Sequence, residues 1–107
     1  MKKILLIVLL SLAGQVVAGV VKGKVDWIRI RASDGLIYFR IDGTSVDKPA
    51  CSTSTNWSIK DENSNAGKAQ LSALLAAQAS GKMITVNGSN QCTRWADMED
   101  ANIILIE

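Results

Sequence analysis

The segment GSNQCTRWADMED, residues 88–100, places a cysteine, an arginine, a tryptophan and three carboxylates within one short stretch. Asp97, Glu99 and Asp100 raise the question of acid–base or metal chemistry. A glycosidase pair needs two carboxyls about 5–9 Å apart across a substrate cleft, which a chain of this size seldom builds. A calcium loop needs alternating oxygen ligands and a turn glycine, both missing here. The three acids therefore read as a solvated turn. Asn90, Arg94 and Trp95 suggest a different use. An indole face stacks on a sugar ring, while Arg and Asn hydrogen-bond hydroxyls or a carboxylate. The simpler alternative is that Trp95 folds over a disulfide made by Cys92 and closes one end of the domain.

Histidine is absent from the chain. That removes Ser-His-Asp and Cys-His nucleophile systems and the commonest general base at neutral pH. Ser45-Val46-Asp47-Lys48 fits the S-x-x-K spacing of serine acyl enzymes. Their chemistry requires a helix that aims serine and lysine into a large cleft, and here the four residues lie in a loop before Pro49. Gly67-Lys68 lacks the upstream glycine and the following Ser/Thr of a phosphate-binding loop, so it reads as a helix start. Asn56-Trp57-Ser58 and Asn87-Gly88-Ser89 match the N-glycosylation pattern and matter only in an export route that glycosylates. The chain reads as no enzyme, with no cofactor and no metal.

The compartment is set by the N-terminus. Lys2 and Lys3 precede an apolar run from Ile4 to Leu12. Small residues follow, with Val16 and Ala18 at the −3 and −1 positions of a cleavage site before Gly19. The run is shorter than the ~20 apolar residues of a lasting membrane anchor. Gln15 stands where a lipoprotein signal places its lipidated cysteine. Residues 1–18 thus read as a Sec-type signal peptide and residues 19–107 as one exported domain, periplasmic or secreted. Removing the leader takes two lysines with it and brings the formal charge from +2 to zero. A neutral exported domain has no general pull on nucleic acid or anionic lipid, although Lys22, Lys24, Arg29, Arg31 and Arg40 cluster in the first two strands. Cys51 and Cys92 are an even pair in an oxidising compartment and read as one disulfide.

The elements that must position these residues are legible from periodicity. VVKGKVDWIRIR, residues 20–31, alternates but changes phase midway: Val21, Val25 and Trp27 share one face, Ile28 and Ile30 the other. This predicts a bulged strand with Trp27 in the core. Asp34-Gly35 marks a hairpin, and LIYFRID, residues 36–42, follows with Ile37, Phe39 and Ile41 inward. A short strand is expected around residues 56–60; the environment of Trp57 stays open. Ser64 or Asn65 caps a helix over residues 66–80 whose buried stripe is Leu71, Leu74 and Leu75, stopped by Gly81. KMITVNG, residues 82–88, alternates again. NIILIE, residues 102–107, has an unbroken apolar run of four that predicts a strand buried on both sides or a barrel closure. The order β-β-β-α-β-β with a bent first strand matches a small five-stranded OB-like barrel; an open antiparallel sheet with the helix on one face is the competing layout.

Cys51-Ser52, then Trp57 after a Ser/Thr-rich gap, then the helix LSALLAAQASGK running into MITVNG, resembles the OB-fold, sugar-binding B subunits of AB5 toxins, in particular the subtilase cytotoxin type. The resemblance implies a secreted β-barrel, a ring of five and recognition of cell-surface glycans; it carries no sugar-contacting position onto this chain. A looser likeness, in the GVV start after a leader, is to small periplasmic OB-fold proteins of stress responses. The expected function is an exported, non-catalytic binding module for a glycan or a protein partner, able to form a homo-oligomeric ring. The alternative is a monomeric periplasmic inhibitor or envelope-stress protein.

Overall fold

The structure, a computed structural model, describes residues 18–107. The leader expected over residues 1–18 lies, apart from Ala18, outside the described residues. The elements are β1 (Val20–Ile30), β2 (Ile37–Asp42), β3 (Trp57–Ile59), α1 (Asn65–Ser80), β4 (Ile84–Gly88) and β5 (Glu99–Ile106). The five strands form one sheet in the order β1-β2-β3-β5-β4, and because β1 also pairs with β4 the pairings close on themselves. All contacts are antiparallel except β3 with β5, which is parallel. Among the described residues, no helix is long and apolar enough to cross a membrane.

β1 belongs to both halves of this ring. Val20–Gly23 pair with β4, and Lys24–Ile30 pair with β2. At the handover the backbones come very close. A Cβ on Gly23 would stand 2.1 Å from the Asp42 carbonyl oxygen, so only glycine fits. The register then slips between Val25 and Trp27. This is the bulge that the phase change predicts, but its consequence for Trp27 is the reverse of the expectation. The extra residue, Asp26, moves Trp27 opposite Arg40 on the outer face, while Ile28 comes opposite Phe39 and packs against the core.

The β1–β2 hairpin also differs in detail. Asp34 is not left-handed; only Gly35 is, with φ 78°. A longer turn is closed by Gly35 N–H to the Arg31 carbonyl and Arg31 N–H to the Leu36 carbonyl. Ile37, Phe39 and Ile41 then point inward as expected and are buried, and Leu36 is buried too. Trp57 is resolved as core: it is 1% exposed and the largest of the fully buried side chains. Its truncation would remove about 3–5 kcal/mol.

The helix runs as its sequence indicates. Ser64 Oγ accepts from the Gly67 N–H, and Gly81 ends the helix in the left-handed conformation. Its buried residues are Gly67, Leu74 and Ala77, with Leu71 packed against the core. Leu75, expected in the stripe, is 46% exposed, because the line turned to the core runs through Gly67, Leu71, Leu74 and Ala77 and leaves Leu75 to one side. The last strand lies within the closed ring of pairings but is not buried on both sides. Ile103 and Leu105 are 54% and 53% exposed, whereas Glu99 and Asp100 at its start are fully buried. Ile104, between Ile103 and Leu105, packs against the core, so those two lie on the outer face of the strand, exposed among the described residues. Cys51 and Cys92 form the disulfide, with Cα atoms 6.2 Å apart and a sequence separation of 41. In the chain-entropy view it contributes about 4 kcal/mol.

Candidate functional site

The outer face of the β1–β2 hairpin carries an arginine–aromatic cluster. Cross-strand pairing sets Trp27 opposite Arg40 and Arg29 opposite Tyr38. The Trp27 and Tyr38 rings meet edge-to-face at 5.7 Å and 89°. The Arg29 guanidinium lies 4.5 Å above the Trp27 ring and 5.8 Å from that of Tyr38, and Nη1 donates to the Tyr38 hydroxyl at 3.4 Å. Arg40 pairs with Asp26 at 3.4 Å. Arg29 has no carboxylate partner among the described residues. A guanidinium held over two rings and still facing solvent has the chemistry to take an anion beside an aromatic surface.

The loop between β4 and β5 adds to this face. Arg31, held by Asp34 through a two-pronged contact at 3.0 and 2.6 Å, covers the Trp95 ring at 4.7 Å. Trp95 is 41% exposed. It is thus not sealed into the end of the domain, as the simpler sequence alternative had it, but presented beside the hairpin. Arg94 braces it there. Its Nε and Nη2 reach the two Glu62 oxygens at 3.0 and 3.2 Å, and Nη2 also donates to the Asp34 carbonyl at 3.0 Å. Arg94 therefore joins three segments: the hairpin, the turn before α1 and the β4–β5 loop. Asn90 takes a different place. It is left-handed, with φ 66°, and its backbone N–H is given to Glu99 Oε2 at 2.9 Å.

These contacts shift several titrations. The Arg94 guanidinium holds the Glu62 carboxyl below the usual range, with burial opposing, and Glu62 in turn raises Arg94. Asp34 is lowered strongly, first by the Arg31 side chain and then by the Leu36 N–H. Both acids stay ionised at neutral pH, so neither is a proton donor to a ligand there.

The acidic end of the loop is not a solvated turn. Asp97 is exposed, but Glu99 and Asp100 are both 0% exposed. Their side chains leave opposite sides of β5 and do separate work. Asp100 accepts from Ser58 Oγ, from the Thr93 hydroxyl, and from the backbone N–H groups of Thr93 and Arg94 at 3.2–3.3 Å. It is the internal anchor of the loop that shows Trp95 to solvent. Glu99 accepts from Gly19 N–H at 3.1 Å and Asn90 N–H at 2.9 Å through one oxygen only. Among the described residues, no cluster of acids, cysteines or histidines is arranged to hold a metal.

A shallow cleft of about 290 Å³ lies between the end of β2 and the loop after it, lined by Arg40, Thr44, Ser45, Lys48 and Thr55 among others. The S-x-x-K residues are in this loop rather than on a helix, and Lys48 Nζ donates to the Ser54 carbonyl. That lysine is engaged rather than aimed at Ser45.

Sequence spacing pointed to Arg94 and Trp95 but missed Arg31 as the neighbour of Trp95, and missed the Trp27–Arg29–Tyr38 cluster on the hairpin. The usable signal was the phase change in β1: one inserted residue at Asp26 is enough to turn Trp27 out toward Tyr38. No protein-family model matches the chain, nor does any curated protein or solved structure.

Proposed function

We propose that the protein is an exported, non-catalytic binding module on an OB-like barrel, whose β1–β2 outer face and Trp95 take a glycan bearing a negative charge. Strand order, the parallel β3–β5 contact and a helix between β3 and β4 support the OB-like reading. The observation that carries the ligand class is Arg29: a guanidinium stacked on Trp27 and near Tyr38, unpaired by any described carboxylate, on the same hairpin whose Arg31 covers the exposed Trp95. Aromatic faces take the C–H faces of sugars, and the arginine fork takes a carboxylate or sulfate. The test is a screen of neutral and acidic oligosaccharides by tryptophan fluorescence. Saturable quenching by acidic sugars, lost in both Trp95→Ala and Arg29→Ala, is the expected result. No saturation by any sugar would overturn it.

The exposed Ile103 and Leu105 favour a protein contact as well. In a toxin-like version that strip joins copies into a ring and the module is the receptor-binding part of an assembly. In the alternative, the same strip seats a partner enzyme on a monomeric periplasmic inhibitor or envelope-stress protein. Light scattering on the oxidised protein separates them: about five monomer masses supports the ring, one monomer mass the inhibitor.

A further inference from the structure

Glu99 is a buried acid with half of its hydrogen bonding unmet. It is 0% exposed, its Oε2 accepts two backbone N–H groups, and its Oε1 has no partner. A buried carboxylate in that state is costly unless a positive charge compensates it. None of the side-chain cations forms an ion pair with it among the described residues. Lys48 passes close by, but its Nζ is given to the Ser54 carbonyl.

One of the two donors to Glu99 is the backbone nitrogen of Gly19, and the leader reading places the cleaved bond between Ala18 and Gly19. We propose that export processing makes the charge partner of Glu99: hydrolysis of the Ala18–Gly19 bond frees the Gly19 α-amine, which as an ammonium bridges both Glu99 oxygens in the folded domain. The proposal rests on the export reading. In the step, a signal peptidase adds water across the bond. Hydroxyl goes to the Ala18 carbonyl carbon and hydrogen to the Gly19 nitrogen, and the proton lost by the new carboxyl balances the one gained by the amine.

The local geometry is built for this. Gly19 is itself buried, and its N is already 3.1 Å from Oε2. A Cβ at Gly19 would stand 2.4 Å from Oε1, so the unpartnered oxygen is turned toward this residue. On the other side, a Cβ at Gly88 would come within 1.9 Å of Oε2. Two glycines thus enclose the carboxylate, and the Gly88 N–H binds the Gly19 carbonyl at 2.8 Å, fixing the chain start against β4. A peptide nitrogen offers one N–H here; an ammonium offers three, enough to keep the present contact and supply Oε1. The first residue of the mature chain is then a structural element, and the uncleaved precursor lacks one charge of its core.

The test compares two oxidised chains, one beginning at Gly19 and one at Ala18, each released from a fusion by a protease, with their Glu99→Gln counterparts. An amine-directed acylating reagent near neutral pH reads burial of the α-amine, and thermal melting reads its contribution. The expected result is acylation of the Gly19 amine at least about tenfold slower than that of the Ala18 amine, and a melting temperature higher by roughly 5–10 °C. Both differences should vanish in Glu99→Gln. If that variant does not fold, the acylation ratio between the two parent chains still decides. Equal acylation of both folded parents overturns the pairing. Separately, the intact mass of the exported protein tests the export reading: a start other than Gly19 rejects the processing site while leaving the measured pairing to stand or fall by itself.

Discussion

Arg94 and Glu62, thirty-two positions apart in sequence, meet through two hydrogen bonds of 3.0 and 3.2 Å. Both side chains are mostly shielded, at 20% and 15% exposure, so the pair is worth more than an open surface ion pair. Because Arg94 also holds the Asp34 carbonyl, this contact decides where Trp95 stands. Arg94→Ala should cost about 1–2 kcal/mol and leave the disulfide and core intact. The check is urea unfolding together with tryptophan emission. A red shift is expected from release of the loop; unchanged emission with unchanged stability would show that Arg94 does not position Trp95.

Acid should loosen the same corner. Glu62 and Asp34 both have folded-state values below those of unfolded carboxyls, through Arg94 and Arg31 respectively. Groups lowered in the folded state stabilise fully above the unfolded range of about 4. That contribution is lost as pH falls through their folded values. Melting followed from pH 6 to about pH 2 should therefore fall in the acid limb. Arg94→Ala should make the limb shallower, since it removes the main cause of the Glu62 shift. An identical limb in that variant would refute the assignment.

Gly67 offers a case where helix propensity points the wrong way. In a helix, Gly→Ala ordinarily gains up to about 1 kcal/mol. Here a new Cβ would lie 1.9 Å from the Asp61 carbonyl oxygen, a backbone atom that cannot swing aside. Gly67→Ala should destabilise by about 1–3 kcal/mol, measured by thermal or urea unfolding. A gain would mean that the turn at Asp61 yields easily.

The outer strip of β5 predicts an association phenotype. Ile103 and Leu105 are more than half exposed, so replacing both by lysine should leave stability within about 1 kcal/mol. Light scattering should find the parent chain above monomer mass and the double variant at monomer mass. An unchanged mass for the variant would remove this strip from any interface between copies.

Much of the fold was readable from local chemistry. The capped helix ending at Gly81, the inward alternation of Ile37, Phe39 and Ile41, and the pairing of Cys51 with Cys92 all follow from period, cap and count. The bulge in β1 was legible as a change of phase. Which way it sends Trp27 was not, because a single inserted residue exchanges the two faces and only the register against β2 shows where it falls. Of the candidate site, Arg94 and Trp95 were visible as residue types. The Arg29–Tyr38 pairing was not, since it depends on the register of β1 against β2. Nor was Arg31 over Trp95, since that contact needs the hairpin to meet a loop some sixty residues later.

By itself, then, the sequence determined strand and helix periods, the cysteine pair and the absence of histidine chemistry. Only the tertiary structure decided burial at the chain's end. The acids of ADMED look like solvent-seeking charges and the run IILI like core, yet Glu99 and Asp100 are enclosed and Ile103 and Leu105 are not. The physical reason for the exposed pair is alternation along β5: Ile104 turns in against the core, so Ile103 and Leu105 turn out. The enclosed acids persist because backbone N–H groups of the loop just ahead of β5 and of Gly19 converge on them.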